Sequence, residues 1–299
     1  MAAFDTVAMN NVALYILTVL IWGSTWIAIK YQLGEVSVLV SIGHRSMLAA
    51  LLVFAFLLLR RQSLRLPLRQ HAFVLAQGLL LFSGNYVFIY PATAELTSGL
   101  VAVVFSTMVI LNMVGGALFL GIPASAMVAV GGALGLTGMA ALFLPELQVF
   151  SLSDNSFRAL LLCFAGTCCA SVGNLFAARN TRAGLPVLVC NAWGMFYGAV
   201  ALYLSAVVLG HEIRLQWQPQ YLLSLLYLAV FGSVVAFWAY VTLIGRIGPD
   251  RAAYSSLLFP VVALLISTFA EGYQWSVLAL LGLALVLAGN WLVMRRGAA

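Results

Sequence analysis

Charge is what this sequence most lacks. Only 7% of its 299 residues are charged and 64% are hydrophobic, whereas a soluble chain carries about 25% charged residues. That shortage excludes a water-facing surface of ordinary kind, and no polar stretch between the apolar runs is long enough to fold as a domain. Cysteine is also sparse: the four present, Cys163, Cys168, Cys169 and Cys190, all fall inside apolar runs. Neither their spacing nor a neighbouring histidine supports a disulfide or a metal site, so they read as small buried hydrophobes. The eight acids are scattered, and no Walker loop or HExxH occurs, which argues against ATP hydrolysis and metal-assisted hydrolysis by this chain. An intramembrane enzyme would need convergent ionisable groups inside the apolar runs, and only His44 and Arg45 qualify clearly. No cofactor is expected.

What is abundant is apolar length. Ten runs are each long enough to cross a bilayer: 12–31, 37–59, 72–92, 98–120, 124–144, 157–178, 186–208, 221–243, 252–270 and 276–294. The reading is an all-α polytopic membrane protein with ten transmembrane helices. With the N-terminus inside, 10 of the 14 Lys and Arg fall in the inner junctions: Arg60, Arg61, Arg65, Arg69, Arg179, Arg182, Arg246, Arg251, Arg295 and Arg296. Lys and Arg concentrate on the cytoplasmic side of membrane proteins, so both termini are expected in the cytoplasm, with the chain multi-pass in the cell's inner (plasma) membrane. The net charge of +6 then reflects topology, and no nucleic-acid partner is expected. The first run is too long for a signal peptide and no small-residue cleavage site follows it, so it is expected to remain as a span.

The second half repeats the first. "VLVSIGHRSMLAALL" (38–52) lies over "VLVCNAWGMFYGAVAL" (187–202) at a shift of 149, and "FIYPATAELTSG" (88–99) lies over "FWAYVTLIGRIGPD" (237–250) near 150. Gly131 and Gly138 fall over Gly282 and Gly289, and Gly23 and Ser24 over Gly173 and Asn174. The units are 1–150 (spans 1–5) and 151–299 (spans 6–10), forming one transport unit. Five is odd, so the second unit enters the membrane from the other side and the halves are inverted. Inverted repeats build transporters with a site near the midplane. Ten spans supply both halves, so a monomer suffices.

Trp22-Gly23-Ser24 in span 1, Arg45 within "HRSMLAALL", Pro260 with Glu271 in "FPVVALLISTFAEG", and the glycine-spaced spans 5 and 10 together resemble the drug/metabolite transporter superfamily, specifically its ten-span EamA-type members. The resemblance covers nearly the whole chain. It implies a secondary transporter, and the aromatic richness is similar to that of bacterial exporters of aromatic amino acids. One departure from the pattern is Leu120, which stands where the repeat would place the counterpart of Glu271, so that glutamate has no symmetric role.

Candidate site residues each carry a plainer alternative. Trp22 and Trp26 share a helical face; Trp22 either lines a cavity or packs between helices, and Trp26 with Lys30 suits the outer interface. Ser24 and Asn174 are repeat-related polar groups that either bind substrate or bond between helices. Asn85, Tyr86 and Tyr90 concentrate polar-tipped groups in span 3, as Trp238 and Tyr240 do in span 8, with Tyr90 also suited to an outer interface. Trp238 and Tyr240 point to opposite faces, so only one can line a cavity. His44 aligns with Trp193, and the alignment suggests one shared central space. Arg45 is read as a structural tie, with attraction of a substrate carboxylate as the alternative. Pro260 should kink span 9, next to Tyr254, Ser255 and Ser256, as a hinge or gate, with Tyr254 also a candidate for contact with the substrate and Glu271 grouped with the gating or structural residues. The expected partner is a small molecule within the bilayer: a neutral or aromatic amino acid, or a related metabolite, exported by alternating access. The rival is a proton-coupled exporter of cationic or aromatic drugs, disfavoured because the first span has no acid and Glu95 and Glu271 lie near outer ends.

Overall fold

In a computed structural model of the chain, residues 9–32, 34, 36–123, 125–150, 154–270 and 275–294 are described. They form ten principal helices: α1 (Asn11–Lys30), α2 (Val38–Leu59), α3 (68–95), α4 (98–120), α5 (Ala126–Leu142), α6 (Asp154–Arg182), α7 (Val187–Val208), α8 (219–247), α9 (249–270) and α10 (Val277–Met294). Seven of the helices are long and apolar enough to cross a membrane, and three shorter apolar ones complete the set. The outward faces of the bundle are apolar, with Phe119 76% and Phe269 91% exposed. Such surface is unremarkable only where the surroundings are hydrocarbon. A short turn of helix, Leu144–Val149, follows α5.

Four helices are irregular: α4 is interrupted by a turn at Thr107, and α3, α8 and α9 depart further from the regular helix. In α9 the segment Pro249–Ala253 tightens into a 3₁₀ turn at Tyr254–Leu257 before Phe259–Ala270 continues. Pro260 supplies no N–H and crowds the carbonyl four residues earlier, so the break falls one turn upstream of the proline. In α3 and α8 the helix widens into π turns, at Leu80–Gly84 and Leu228–Val235. These two turns lie about one repeat apart, and π turns concentrate at functional positions.

Helix packing carries the duplication. α2 packs on α7 and α5 on α10, while α1 packs on α8 and α9 just as α6 packs on α3 and α4. Each of these pairings therefore has its counterpart five helices on. The α5–α10 seam depends on glycine, because a Cβ on Gly138 would lie 2.7 Å from the Gly282 carbonyl oxygen and one on Gly282 2.6 Å from that of Gly138. Close backbone approach through small residues is how membrane helices gain packing when lipid is as apolar as they are. α1 is joined to α10 by a hydrogen bond from the Tyr15 hydroxyl to Asn290.

The seam generates a prediction. Gly282→Ala puts a methyl against backbone atoms that cannot yield, and should cost about 1–3 kcal/mol, read as a lowered melting temperature of the purified protein in detergent. Gly116→Ala, whose Cβ would first meet Ile122 at 3.4 Å, should melt close to wild type. Equal melting of the two variants would mean that the seam does not constrain the fold.

Candidate functional site

The middle of the bundle gathers aromatics around Trp22. Its ring meets Phe237, Tyr240 and Phe259 edge-on, with centroids at 4.8, 5.0 and 5.3 Å. Its indole nitrogen donates to the Gly232 carbonyl at 3.0 Å, inside the π turn of α8. Asn174 of α6 donates through Nδ2 to the Tyr240 hydroxyl at 3.0 Å and to Met108 Sδ at 3.4 Å. The Asn174 carbonyl oxygen is buried without a hydrogen-bond partner. Buried polar atoms are nearly always satisfied, so this acceptor, beside a phenol and an indole face, is the chemically notable atom of the centre.

Arg45 of α2 is buried and reaches the same turn. Nε donates to Ser233 Oγ at 2.8 Å, and Nη2 to Gly232 O at 3.3 Å and to the Tyr86 hydroxyl at 3.4 Å. Its guanidinium also lies over the Tyr86 ring, 5.0 Å from the centroid. A Cβ at Gly232 would sit 3.3 Å from Nη2 and 3.2 Å from Thr25, so glycine clears the approach. The next residue, Ser46, donates to Phe82 O at 3.2 Å inside the π turn of α3. Adjacent residues of α2 thus serve both widened turns.

Other candidates lie elsewhere. His44 and Trp193 do not share a central space. His44 Nδ1 contacts the Tyr203 hydroxyl at 2.8 Å and Nε2 the Arg214 carbonyl at 3.1 Å, near the end of the bundle where α2 begins. A carbonyl only accepts, so Nε2–H is the donor to Arg214, which leaves Nδ1 of the Nε2–H tautomer to accept from the Tyr203 hydroxyl. Trp193 donates to Leu64 O at 2.9 Å and packs on Phe54 at 5.1 Å, near the opposite end. At the repeat shift Phe54 corresponds to Tyr203 and Leu64 to Arg214. The two contact sets are therefore one motif turned over, and the inversion that aligns the residues is what separates them.

Tyr254 is fully buried, donating to Val128 O, and a Cβ on Gly131 or Gly132 would lie 3.2 Å from its hydroxyl; it fastens α9 to α5 instead of facing the centre. Ser24 donates to its own helix carbonyls and contacts the Tyr227 hydroxyl at 2.7 Å, tying α1 to α8. Asn85 accepts from the Tyr86 N–H through Oδ1. Tyr90 is buried, not interfacial, and meets Tyr86 edge-on at 6.1 Å. Trp238 is buried in the apolar core, as Tyr240 is. Pro260 follows Phe259 in the aromatic cluster. Glu271 and the side chains of Trp26 and Lys30 lie outside the described residues.

The sequence reading missed several participants. Phe237 was legible as the residue one turn before Tyr240 and so on its face, whereas Phe259 lies in another span and no periodicity joins it to Trp22. Two polar clasps also went unread. One joins α1, α8 and α2: Gln32 Nε2 donates to Ser224 Oγ at 2.5 Å and to Tyr221 O at 2.9 Å, and Ser41 contacts the Tyr221 hydroxyl at 3.1 Å. The other joins α6, α3 and α7: Asn180 Nδ2 donates to Gln77 Oε1 at 2.9 Å, and Gln77 Nε2 to Asn191 Oδ1 at 3.2 Å. These helix triples are repeat counterparts, one near each end of the bundle.

Comparison with known proteins decides the family. The model of the EamA-like transporter family matches the chain twice, over residues 10–144 and 157–295. The chain belongs to the EamA-like transporter family. It is 32% identical over 282 residues to an Escherichia coli K12 protein named as an uncharacterized inner membrane transporter, YedA, covering 92% of this chain and 88% of that one. It is 24% identical over 286 residues to an E. coli K12 protein named as a probable amino-acid metabolite efflux pump, covering 93% of each. A solved crystal structure superposes with a TM-score of 0.76 at 18% identity, covering 96% of this chain and 98% of its own, which shows the fold alone. The doubled match falls on the two halves of this EamA transporter, and the aromatic centre described above draws on both.

The Arg45 contacts give this transporter a testable joint. Arg45→Met leaves Ser233 without its donor and should cost about 1–3 kcal/mol, whereas Ser46→Ala should cost about 0.6 kcal/mol, both read from unfolding in detergent. A wild-type melting curve for Arg45→Met would remove the joint from the account.

Proposed function

We propose that this EamA transporter exports neutral amino acids, aromatic ones among them, or closely related small metabolites, across the inner membrane by alternating access. The observation that carries the reading is the buried, unpartnered Asn174 oxygen beside the Tyr240 hydroxyl and the Trp22 indole. An aromatic face, a phenol and an amide acceptor suit a neutral cargo that needs a flat apolar wall and a few directed hydrogen bonds. Arg45 sets a positive charge near the same place, which disfavours a cationic drug. The name carried by one relative, amino-acid metabolite efflux, agrees with this chemistry.

The residues 1–150 and 151–299 act as the two halves of one unit, with both termini cytoplasmic and a single chain sufficient for transport. The halves rock about the centre, and the two clasps serve as alternating gates. The Gln32–Ser224–Tyr221–Ser41 set closes the outer end, and the Asn180–Gln77–Asn191 set closes the inner one. Both are neutral hydrogen bonds of modest strength, about 0.6 kcal/mol each within a membrane bundle, weak enough to break in a transport cycle.

Purified protein in liposomes should take up labelled Trp, Phe, Met or Thr above the empty-vesicle rate, with and without a pH gradient, and should not move a cationic dye. Dye movement without any amino-acid flux overturns the assignment. Trp22→Ala should reduce phenylalanine uptake about tenfold or more, an indole contact being worth at least 1.4 kcal/mol in a pocket. It should spare Thr and Met more than Phe and Trp, and an unchanged preference would remove Trp22 from the cargo wall.

A further inference from the structure

A second polar site lies away from the aromatic centre. A cavity of about 450 Å³ opens between the α4–α5 connection, the end of α6 and the α8–α9 junction. Its wall carries three arginines, Arg182, Arg246 and Arg251, together with Asp250. In a protein with so few charges, four on one cavity wall is a concentration that bilayer topology alone does not require, since a positive-inside bias asks for no acid among them. Asp250 is only 7% exposed, and among the described residues no ion pair or hydrogen bond to its carboxylate is formed. The backbone shapes its position: Gly248 adopts φ +91, and a Cβ there would lie 2.7 Å from Asp250 Oδ1. Glycine is required both for that φ and for the room the carboxylate occupies. Arg182 and Arg246 each spend one guanidinium nitrogen on the backbone, on Leu120 O at 2.8 Å and on Met9 O at 2.7 Å. Their remaining donors, with those of Arg251, stay available at the cavity.

The sequence of this cavity wall is not duplicated. At the repeat shift "GPDR" (248–251) falls over "GLVA" (99–102), where Val101 and Ala102 are buried in apolar packing. A feature built at one end of an otherwise duplicated framework marks a difference between the two directions of transport.

We propose that this cavity is a capture site for zwitterions at the cytoplasmic mouth, where Asp250 takes the ammonium group and Arg251, with Arg182 and Arg246, the carboxylate of an amino acid on its way to the centre. The inference rests on the amino-acid reading of the cargo. Arginine presents a planar fork that matches a carboxylate, while a buried carboxylate without a partner gains most from an ammonium brought to it. The separation of the two signs along one wall is what a zwitterion carries and a simple anion or cation does not.

The test uses the full-length protein in vesicles and three probes: labelled phenylalanine, labelled 3-phenylpropionate, which lacks the ammonium, and phenethylamine, which lacks the carboxylate, as an inhibitor of phenylalanine uptake. Asp250→Asn should raise KM for phenylalanine about tenfold, the worth of one charge-assisted bond, with little change in KM for 3-phenylpropionate. Arg251→Gln should do the converse, raising KM for phenylalanine and 3-phenylpropionate but not the concentration of phenethylamine that half-inhibits phenylalanine uptake. It also serves as the reporter should Asp250→Asn not fold. Equal losses on all three probes would indicate a structural role and overturn the capture site, as would unchanged preferences. Running the series in phosphatidylglycerol vesicles and again with phosphatidylethanolamine separates cargo from lipid. An effect seen only with the ethanolamine lipid would assign the site to its headgroup and overturn the proposal. Wild-type protein that moves no amino acid would fell the cargo reading itself, whereas wild-type amino-acid flux with unaltered variants fells the capture site alone.

Discussion

Backbone polar groups inside hydrocarbon have no water to turn to, and that constraint organises this bundle. Regular helices satisfy it internally, so departures from regularity need partners from elsewhere in the protein. The two π turns are such departures. Gly232 O, within the turn of α8, accepts from both Trp22 and Arg45, and Phe82 O, within the turn of α3, accepts from Ser46. Two consecutive side chains on α2 thereby hold one widened turn from each half. The cluster that looks like a substrate site is also where the two halves are tied together, and one set of contacts meets both demands.

Inversion explains why equivalent residues do different work. His44 and Trp193 occupy the same place in their repeats and make the same kind of contact, ring nitrogen to loop carbonyl and ring to ring. They do so near opposite ends of the bundle. The clasp built on Gln32 and the clasp built on Gln77 stand in the same relation. A framework whose two ends are closed by counterpart contacts gives neither end a large energetic advantage, which is the condition for alternating access with a modest driving force.

Much of this was readable beforehand, and the limits are physical. Length and apolarity gave ten spans, with boundaries that differ from the helices by a few residues, because helices such as α6, Asp154–Arg182, are longer than their apolar runs. The repeat shift gave the two five-helix units and aligned Gly131 and Gly138 with Gly282 and Gly289, but the seam those glycines form between α5 and α10 is seen only in the structure. What alignment could not give was which end of the membrane each copy faces in space, so His44 and Trp193 were brought together on paper. Tyr254 shows another limit: a polar tip in an apolar helix reads as substrate contact, while one backbone carbonyl, that of Val128, suffices to satisfy it within the packing. Ser24 shows the same ambiguity, as its hydroxyl is occupied by its own helix and by Tyr227. The Trp22 cluster was half legible, since Phe237 shares the Tyr240 face but Phe259 comes from a different half-helix.

The charge at the centre bears on which cargo can pass. The described partners of Arg45 are Ser233, Gly232, Tyr86 and Tyr90, all neutral, so its positive charge is held by dipoles and a ring face and is not cancelled by an acid. In a low-dielectric interior such a charge is weakly screened, and it raises the cost of bringing a cation to the Trp22 cluster. A neutral molecule meets no such barrier, and a zwitterion can turn its carboxylate toward the arginine. A monovalent organic cation has no orientation that helps it. The same argument separates the two polar regions of the molecule. Asp250 at the cavity near the end of α6 offers a full negative charge, and the centre offers only the Asn174 oxygen and the Tyr240 hydroxyl. An ammonium group moving inward would exchange a strong partner for weaker ones, so the exchange has to be offset by burial of the cargo's apolar part against Trp22. Burial against aromatic walls grows with side-chain area, so under the proposed amino-acid reading large neutral side chains would be favoured over small ones.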